Sequence, residues 1–227
     1  MLEAILFDLD GTLADTDSIH FAVWQDILVR YDLDIDRAFY RQRISGRTNS
    51  KIIKDIIPQL TLEDAWKLAT EKEESFRRIA NSLKPTLGLD ELIRLTDSTG
   101  IKRAIVTNAP ENNVIYLLKA LHLTDTFPTV ILAKDAPPGK PDPAPYQLGL
   151  SRLGINNPKN AIAFEDSIAG IRSAVGAGIY TIGITTSYEA SDLIAAGASM
   201  TVENFQDSKL WKMLDSLVSV GQPSLRD

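Results

Sequence analysis

The sequence has no cysteine among its 227 residues. Disulfide bonds and thiolate metal sites are therefore excluded. It has only two histidines, His20 and His122, which are too few for a histidine-based zinc centre without help from carboxylates. Any metal ion bound by this chain is therefore expected to be a hard cation held by oxygen atoms.

Long apolar runs and an excess of positive charge are also missing. The apolar stretches are far shorter than a membrane span, and the chain opens on a strand pattern without a signal-peptide pattern. We therefore expect a cytoplasmic monomer without membrane contact. The formal net charge is −6, whereas a nucleic-acid binder normally carries a basic stripe, so no nucleic-acid partner is expected. An anionic ligand must then be bound by local lysines and arginines, because the long-range field does not attract it.

The sequence contains an alternation of apolar runs and helical patterns. Its 44% apolar and 24% charged residues are typical of a globular protein. Strands alternate with helices over most of the chain, which predicts a parallel sheet covered on both faces. We predict an α/β fold with a Rossmann-like core over residues 1–14 and 86–227, and an inserted all-helical cap over residues 15–85. The long cap helix is predicted over Leu62–Ser82, and the tail Gly221–Asp227 is expected to be loose.

The first apolar run, Ile5–Phe7, leads into two aspartates, Asp8 and Asp10, followed by Gly11. If the strand stays extended, positions two apart share a face. If it ends at Asp8, a turn allowed by the glycine returns Asp10 over the first carboxylate. In both cases two carboxylates lie close together, which is costly unless a cation neutralises them.

Three further polar stretches follow predicted strands. Taken alone, Thr107-Asn108 suits a helix cap as well as an anion cradle, and Lys140 suits a solvated loop lysine. Glu165-Asp166 suits a pair of solvated or capping acids. Ligands of parallel α/β sheets bind outside the carboxyl ends of the strands, so we expect all these groups to converge there.

Such convergence would bring four carboxylates into one pocket: Asp8, Asp10, Glu165 and Asp166. A divalent cation together with Lys140 would neutralise much of their charge and leave a site for a dianion. Hard oxygen ligands with room for water and a phosphate oxygen are typical of Mg²⁺. Phosphoryl transfer needs these same parts, together with an in-line nucleophile.

The four stretches resemble the four motifs of the haloacid dehalogenase-like hydrolase superfamily, in their order and approximate spacing. They are Asp8-Leu9-Asp10-Gly11-Thr12, Thr107-Asn108, Lys140-Pro141 and Glu165-Asp166-Ser167. The helical insert after the first motif is similar to the cap of the phosphatase and β-phosphoglucomutase-like subfamily. Jointly the motifs are very specific, and the resemblance covers nearly the whole chain.

The resemblance implies a role for each motif. Asp8 would be the nucleophile that forms an aspartyl-phosphate, and Asp10 the general acid and then the base. Thr107 and Asn108 would bind the phosphoryl oxygens, and Lys140 would neutralise them and orient Asp8. The magnesium ligands would come from the following groups: the Asp8 carboxylate, the Asp10 backbone carbonyl, Asp166, and Glu165 directly or through water.

The cap is expected to decide which small phosphorylated metabolite is bound. Arg47, in the loop after Gly46, is predicted to bind a distal anionic or polar group. Lys72 is a further candidate, although a lysine among acids on a helix is more often a solvated charge. His20 and Trp24 lie one helical turn apart, and the sequence fits substrate contact and burial in the cap core equally well.

The resemblance leaves two activities open, because the subfamily contains phosphatases and hexose-phosphate mutases. His20 and Trp24 stand at positions that match the β-phosphoglucomutases. However, Asn49 stands where those mutases have a cap arginine, and the second motif is of the phosphatase type. We therefore favour a magnesium-dependent phosphatase of a small phosphorylated metabolite, expected to be a sugar phosphate, over a mutase. A regulatory binder without turnover is the third alternative, and it is disfavoured because every catalytic position is filled.

Overall fold

The computed structural model describes residues 1–80 and 83–219, which form six strands and ten α-helices among the described residues. The strands are β1 (Ala4–Phe7), β2 (Lys102–Thr107), β3 (Thr129–Leu132), β4 (Ala161–Glu165), β5 (Tyr180–Ile184) and β6 (Met200–Val202). The first five helices are α1 (Asp17–Val29), α2 (Arg37–Arg43), α3 (Asn49–Ile56), α4 (Leu62–Ile79) and α5 (Leu89–Thr99). The others are α6 (Glu111–Ala120), α7 (Ala144–Leu153), α8 (Ile168–Gly176), α9 (Ala190–Ala196) and α10 (Ser208–Ser219), with a 3₁₀ turn at Pro158–Asn160.

All six strands are parallel and form one sheet in the order β3-β2-β1-β4-β5-β6. Strand β1 is central, and the chain continues to β2 on one side and to β4 on the other. A ligand site is expected where the strand order reverses, at the carboxyl end of such a central strand. Asp8 follows β1 at this point, and its backbone N–H donates to the carbonyl oxygen of Phe164 over 2.9 Å.

The two faces of β1 belong to two different hydrophobic clusters, because successive side chains of a strand point to opposite faces. Ile5 and Phe7 pack in the larger cluster, where the Phe7 ring stacks on Phe164 with centroids 5.5 Å apart. Ala4 and Leu6 pack in the smaller cluster. Every residue of β1 is buried, as expected for a strand covered by helices on both faces.

The segment between β1 and α5 contains α1 to α4. Its two connections to the sheet lie side by side, because Ala14 forms an antiparallel bridge with Pro85. Thr61 caps α4 by accepting a hydrogen bond from the Asp64 backbone N–H at 3.1 Å, as a threonine at this position favours. The all-helical insert is thus attached to the core through two adjacent strands of chain.

The predicted fold class is confirmed: a Rossmann-like parallel sheet carries an inserted helical cap. The exact division between core and cap, at residues 15 and 85, stays a prediction. Helix α4 ends at Ile79, whereas Leu62–Ser82 was expected; Asn81 and Ser82 lie outside the described residues, as does the predicted loose tail. Within the described parts of the chain, no helix has both the length and the apolarity needed to cross a membrane.

Candidate active site

The predicted motif residues meet at the carboxyl edge of the sheet. Asp8 follows β1, Thr107 ends β2 and Glu165 ends β4. The parallel register sets these strand ends level, since Phe7 pairs with both Ile105 and Phe164. All the motif carboxylates except Glu165 line one cavity, together with Thr107, Asn108 and Lys140.

A buried ion cluster forms the floor of this site. The Lys140 ammonium donates to Asp8 Oδ1 at 2.5 Å and to Glu165 Oε1 at 2.6 Å. The Tyr146 hydroxyl also donates to Glu165 Oε1, at 2.6 Å. Lys140 is 3% exposed and Glu165 is fully buried, so the interpretation of these residues as solvated charges is wrong.

The carboxylates of this cluster carry more negative charge than one lysine neutralises. Burial is the main cause that raises the pKa of Asp8, and the charge of Glu165 adds to it, while Lys140 opposes it. Burial, with the charges of Asp8 and Glu165, also raises the pKa of Asp166 well above its usual value. A further cation beside Asp8 and Asp166 would favour their ionised forms and lower these raised pKa values.

Three carboxyl groups are arranged to accept such a cation. Oxygen atoms of Asp8, Glu165 and Asp166 lie within 4.8 Å of one another. An all-oxygen donor set of this kind fits Mg²⁺. Asp8 and Asp166 line the cavity, whereas Glu165 does not and accepts from both Lys140 and Tyr146 on one oxygen. Asp8 and Asp166 are therefore the better placed ligands of the three.

Asp166 is positioned by a close approach of the backbone at Gly11. Ser187 donates a hydrogen bond from its hydroxyl to Asp166 Oδ2 at 2.5 Å. A Cβ at Gly11 would lie 2.1 Å from the same carboxylate oxygen, and the residue has φ = +77°. Only glycine satisfies both constraints, so this position holds the first and fourth motifs in contact.

Asp10 is held apart from the ion cluster by residues that lead into the cap. Thr16 donates to Asp10 Oδ1 at 2.7 Å, and His20 Nε2 lies 3.1 Å from the same oxygen. Burial alone would raise the pKa of Asp10, but the hydrogen bonds from His20 and Thr16 and the positive charge of Lys72 outweigh it and hold the pKa below its usual value. Asp10 is therefore a carboxylate in this arrangement.

The partners of His20 decide which ring nitrogen carries the proton. Lys72 Nζ lies 2.9 Å from His20 Nδ1. An ammonium group can only donate, so Nδ1 accepts and the Nε2–H donates to Asp10. The His20 ring also stacks on Phe76, with centroids 4.1 Å apart. The histidine is therefore a contact of the core motif, packed on one face by the cap.

The structure places two cap residues, Lys72 and Trp24, for which the sequence left alternatives open. Lys72 is 3% exposed and forms an ion pair with Glu73 at 2.9 Å, so the view of it as a solvated helix charge is wrong. Trp24 is 1% exposed and packs in the larger hydrophobic cluster, although it also lines the cavity. Trp24 is therefore both a core residue and part of the cavity wall.

The second motif makes contacts that were not expected. The Thr107 hydroxyl accepts a hydrogen bond from the Ala109 N–H at 3.0 Å. The Asn108 side chain accepts from the Lys140 N–H at 3.1 Å and donates to the Gly46 carbonyl at 3.0 Å. The amide thus joins the Lys140 loop to the cap loop, and a role of Thr107 and Asn108 in phosphoryl binding stays a prediction.

The cap loop around Gly46 lies against the core. A Cβ at Gly46, which has φ = +71°, would lie 2.7 Å from the Ser167 hydroxyl. Arg47 lines the cavity, but its guanidinium donates to the Arg43 carbonyl at 2.6 Å and to Asp55 at 3.0 Å. Arg47 is thus tied to the cap itself, and a contact with a distal group of the substrate stays a prediction.

Several residues of the site were missed by sequence reasoning. Nothing in the sequence around Thr16, which precedes α1, or around Glu73, on α4, indicates their contacts with Asp10 and Asn49. The motif Lys140-Pro141, a few residues before Tyr146, gives no indication of the contact between Tyr146 and Glu165. Three of the five are buried polar side chains on helices, namely Glu73, Asn113 and Tyr146, but a polar residue on a helix does not identify a partner distant in sequence. The missed residues are Thr16, Glu73, Asn113, Tyr146 and Ser187.

The fold and the site together define a class of protein: a capped α/β enzyme with a carboxylate-rich site at the end of its central strand. A family model described as haloacid dehalogenase-like hydrolase matches residues 5–184. The chain belongs to this family. The predicted family and the prediction of an enzyme of the hydrolase class are thereby confirmed.

Known proteins similar to this chain include phosphatases and a mutase. The phosphorylated carbohydrates phosphatase of Thermotoga maritima is 30% identical over 206 residues, which cover 89% of this chain and 94% of that protein. The β-phosphoglucomutase of Bacillus subtilis is 25% identical over 192 residues, covering 81% and 83%. A crystal structure of a CbbY variant from Rhodobacter sphaeroides, in complex with xylulose-(1,5)bisphosphate, has a TM-score of 0.78 and 27% identity, covering 91% and 96%.

Proposed function

We propose that the chain is a magnesium-dependent phosphatase that hydrolyses a small phosphorylated metabolite, a sugar phosphate, through an aspartyl-phosphate on Asp8. The observation that carries the proposal is the buried cluster at the end of β1, where Lys140 contacts both Asp8 and Glu165. The similarity to the Thermotoga phosphatase supports the choice of a phosphorylated carbohydrate.

Asp8 is proposed to attack the phosphorus atom. The bond from phosphorus to the ester oxygen breaks, and the leaving oxygen takes a proton from Asp10. Water then attacks the phosphorus of the aspartyl-phosphate and gives a proton to Asp10. The bond from phosphorus to the Asp8 oxygen breaks, which releases inorganic phosphate and restores the Asp8 carboxylate. The ionised Asp10, held by Thr16 and His20, is the form that accepts the proton of water. The proton gained in this step serves the next leaving oxygen.

Mg²⁺ is proposed to be held by Asp8 and Asp166, with Glu165 adjacent. It would supply positive charge for the phosphoryl oxygens and keep Asp8 ionised as a nucleophile. Lys140 stabilises the same ionised form through its hydrogen bond to Asp8 Oδ1. Glu165 and Tyr146 hold this lysine in place, since they form its buried surroundings.

The mutase alternative requires a group that grips a second phosphate while the intermediate turns over. Asn49, at the position of the mutase arginine, donates to Glu73 Oε1 at 2.5 Å. A neutral amide beside a carboxylate is poorly suited to that task, which favours transfer to water. We therefore expect phosphate release from β-glucose 1-phosphate without any bisphosphate activator.

The experiment measures hydrolysis of an aryl phosphate with Mg²⁺, with excess chelator, and after magnesium is restored. Asp8→Asn should abolish turnover, whereas Asp125→Asn, the same change at an exposed position, should retain it. Full activity in chelator, or near-normal turnover by Asp8→Asn, would contradict the proposal. Formation of glucose 6-phosphate faster than free phosphate, with or without a bisphosphate primer, would favour the mutase.

A further inference from the structure

Four polar side chains, three from the cap and one from α6 of the core, line the cavity and meet at Glu73. We name them the Glu73 cluster: Asn49, Lys72, Glu73 and Asn113. A chain of contacts leads to this cluster from Asp10 through His20 and Lys72. The cluster therefore occupies a different part of the cavity wall from the Asp8–Lys140 pair. Nothing in the mechanism proposed above uses it.

Glu73 is the centre of the cluster and is anionic. Its Oε1 accepts from Asn49 at 2.5 Å and from Lys72 at 2.9 Å, and its Oε2 accepts from Asn113. Burial is the largest influence on its pKa and raises it, but the charge and hydrogen bond of Lys72 and the hydrogen bond from Asn49 hold the pKa below its usual value of 4.5. The Glu73 carboxylate therefore forms part of the wall of the cavity that we propose to bind a phosphorylated ligand.

The cations that line the described cavity are already paired. Lys140 is bound to Asp8 and Glu165 at the catalytic end, and Lys72 to Glu73. Arg47 is bound to Asp55 and to backbone carbonyls of the cap. A second phosphate or a carboxylate on a ligand would therefore meet Glu73 without an unpaired lysine or arginine among these lining residues to offset the repulsion.

The same cluster suits hydroxyl groups. A carboxylate offers about four acceptor positions, of which three are taken here, and each asparagine amide carries a second N–H beyond the one given to Glu73. Trp24 and Ile52 line the cavity beside these groups and supply apolar surface. This combination of acceptors, donors and apolar contacts is suited to a neutral polyol.

We propose that Glu73 is a specificity-determining residue that admits phosphomonoesters whose far end is uncharged and bears hydroxyl groups, and excludes those with a second anionic group. The proposal rests on the phosphatase function proposed above and deepens it. The CbbY variant in complex with a bisphosphate is the contrasting case in this family, so the two proteins should differ in this part of the cavity.

The test uses inhibition of aryl phosphate hydrolysis, so that it does not require the natural substrate. The probes are glucose 6-phosphate, 6-phosphogluconate, which has a carboxylate at the far end, and glucose 1,6-bisphosphate. In the unmodified protein, the Ki of 6-phosphogluconate and of glucose 1,6-bisphosphate should each be at least about tenfold higher than that of glucose 6-phosphate. One unit-charge repulsion in a partly buried site is worth a factor of this size.

Glu73→Gln keeps the shape of the side chain, removes its charge and leaves Lys72 to attract an anion. The ratio of the Ki of each doubly anionic probe to the Ki of glucose 6-phosphate should then fall by about tenfold or more. Glu63→Gln is the matched control, because Glu63 lies on the same helix, is 76% exposed and pairs only with Lys67 among its cationic neighbours in the described residues. It should leave the ratio unchanged.

The outcomes separate this inference from the proposed function. Absence of all aryl phosphate hydrolysis overturns the function and the inference with it. Hydrolysis with equal Ki values for the three probes, or without inhibition by glucose 6-phosphate, overturns the inference alone, as does an unchanged ratio in a folded Glu73→Gln. If that variant does not fold, Asn49→Lys adds a cation at the same cluster; a lowered ratio supports the inference and an unchanged ratio overturns it.

Discussion

Replacing Lys140 with methionine should destabilise the protein by several kcal/mol in addition to inactivating it. The ammonium group is buried and contacts Asp8 at 2.5 Å and Glu165 at 2.6 Å. Removing one partner from a buried ion pair costs about 3–5 kcal/mol, because the remaining charge is left without compensation. For a chain of this length that corresponds to a melting temperature lower by roughly 10 °C.

The assay is urea unfolding at neutral pH, with Lys134→Met as the matched control. Lys134 also pairs with a carboxylate, Glu111, but it is 62% exposed, so its loss should change the free energy of unfolding by at most about 0.5–1 kcal/mol. Adding Glu165→Gln to Lys140→Met removes one of the stranded carboxylates, while the amide oxygen still accepts from Tyr146. The double variant should recover about 1–3 kcal/mol.

The reasoning would be refuted if Lys140→Met were no less stable than Lys134→Met. It would also fail if the loss of unfolding free energy in the double variant equalled the sum of the losses in Lys140→Met and in Glu165→Gln. Such additivity would mean that the two side chains do not interact. Activity gives an independent reading. Without the lysine, Asp8 should be protonated over more of the pH range, and aryl phosphate turnover should fall by about 10²-fold or more.

The remaining predictions concern Asp10 and Asn108. Asp10→Asn should slow turnover by ~10²–10⁴, the usual contribution of general acid–base catalysis, and a rate within threefold of the unmodified enzyme would exclude this role. Asn108→Ala removes three hydrogen bonds, two to the Lys140 backbone and one to the Gly46 carbonyl, which at about 0.5–1.5 kcal/mol each should lower the free energy of unfolding by about 1.5–4.5 kcal/mol. Urea unfolding measures this, and an unchanged midpoint would show that these bonds contribute nothing.

The features that could be predicted from sequence are those that depend on local periodicity. Strand β1 was recognisable because a short apolar run ends in polar residues, and buried parallel strands have this composition. The convergence of Asp8, Thr107 and Glu165 followed from topology, because parallel strands bring their carboxyl ends to one edge. No contact between individual side chains was needed for either inference.

The cap contacts could not be predicted in this way. His20 and Lys72 are separated by 52 residues, and their contact depends on how α1 packs on α4. Helical spacing shows which residues share a face, but it does not show which face of a second helix they meet. The ion pairs of Lys72 with Glu73 and of Arg47 with Asp55 could therefore not be predicted, and the role of both residues in substrate binding stays a prediction.

The charge balance of the cavity shows why the cap matters for the choice of reaction. At the catalytic end, Lys140 and a bound Mg²⁺ would supply enough positive charge for one phosphoryl group beside Asp8 and Asp166. On the cap side, Glu73 already neutralises Lys72. A phosphoryl group transferred to Asp8 can thus be attacked by water, but the lysine and arginine that line the cap side of the described cavity, Lys72 and Arg47, are already paired and would not hold a second phosphate. Hydrolysis of a singly phosphorylated substrate is the reaction that this distribution of charge favours.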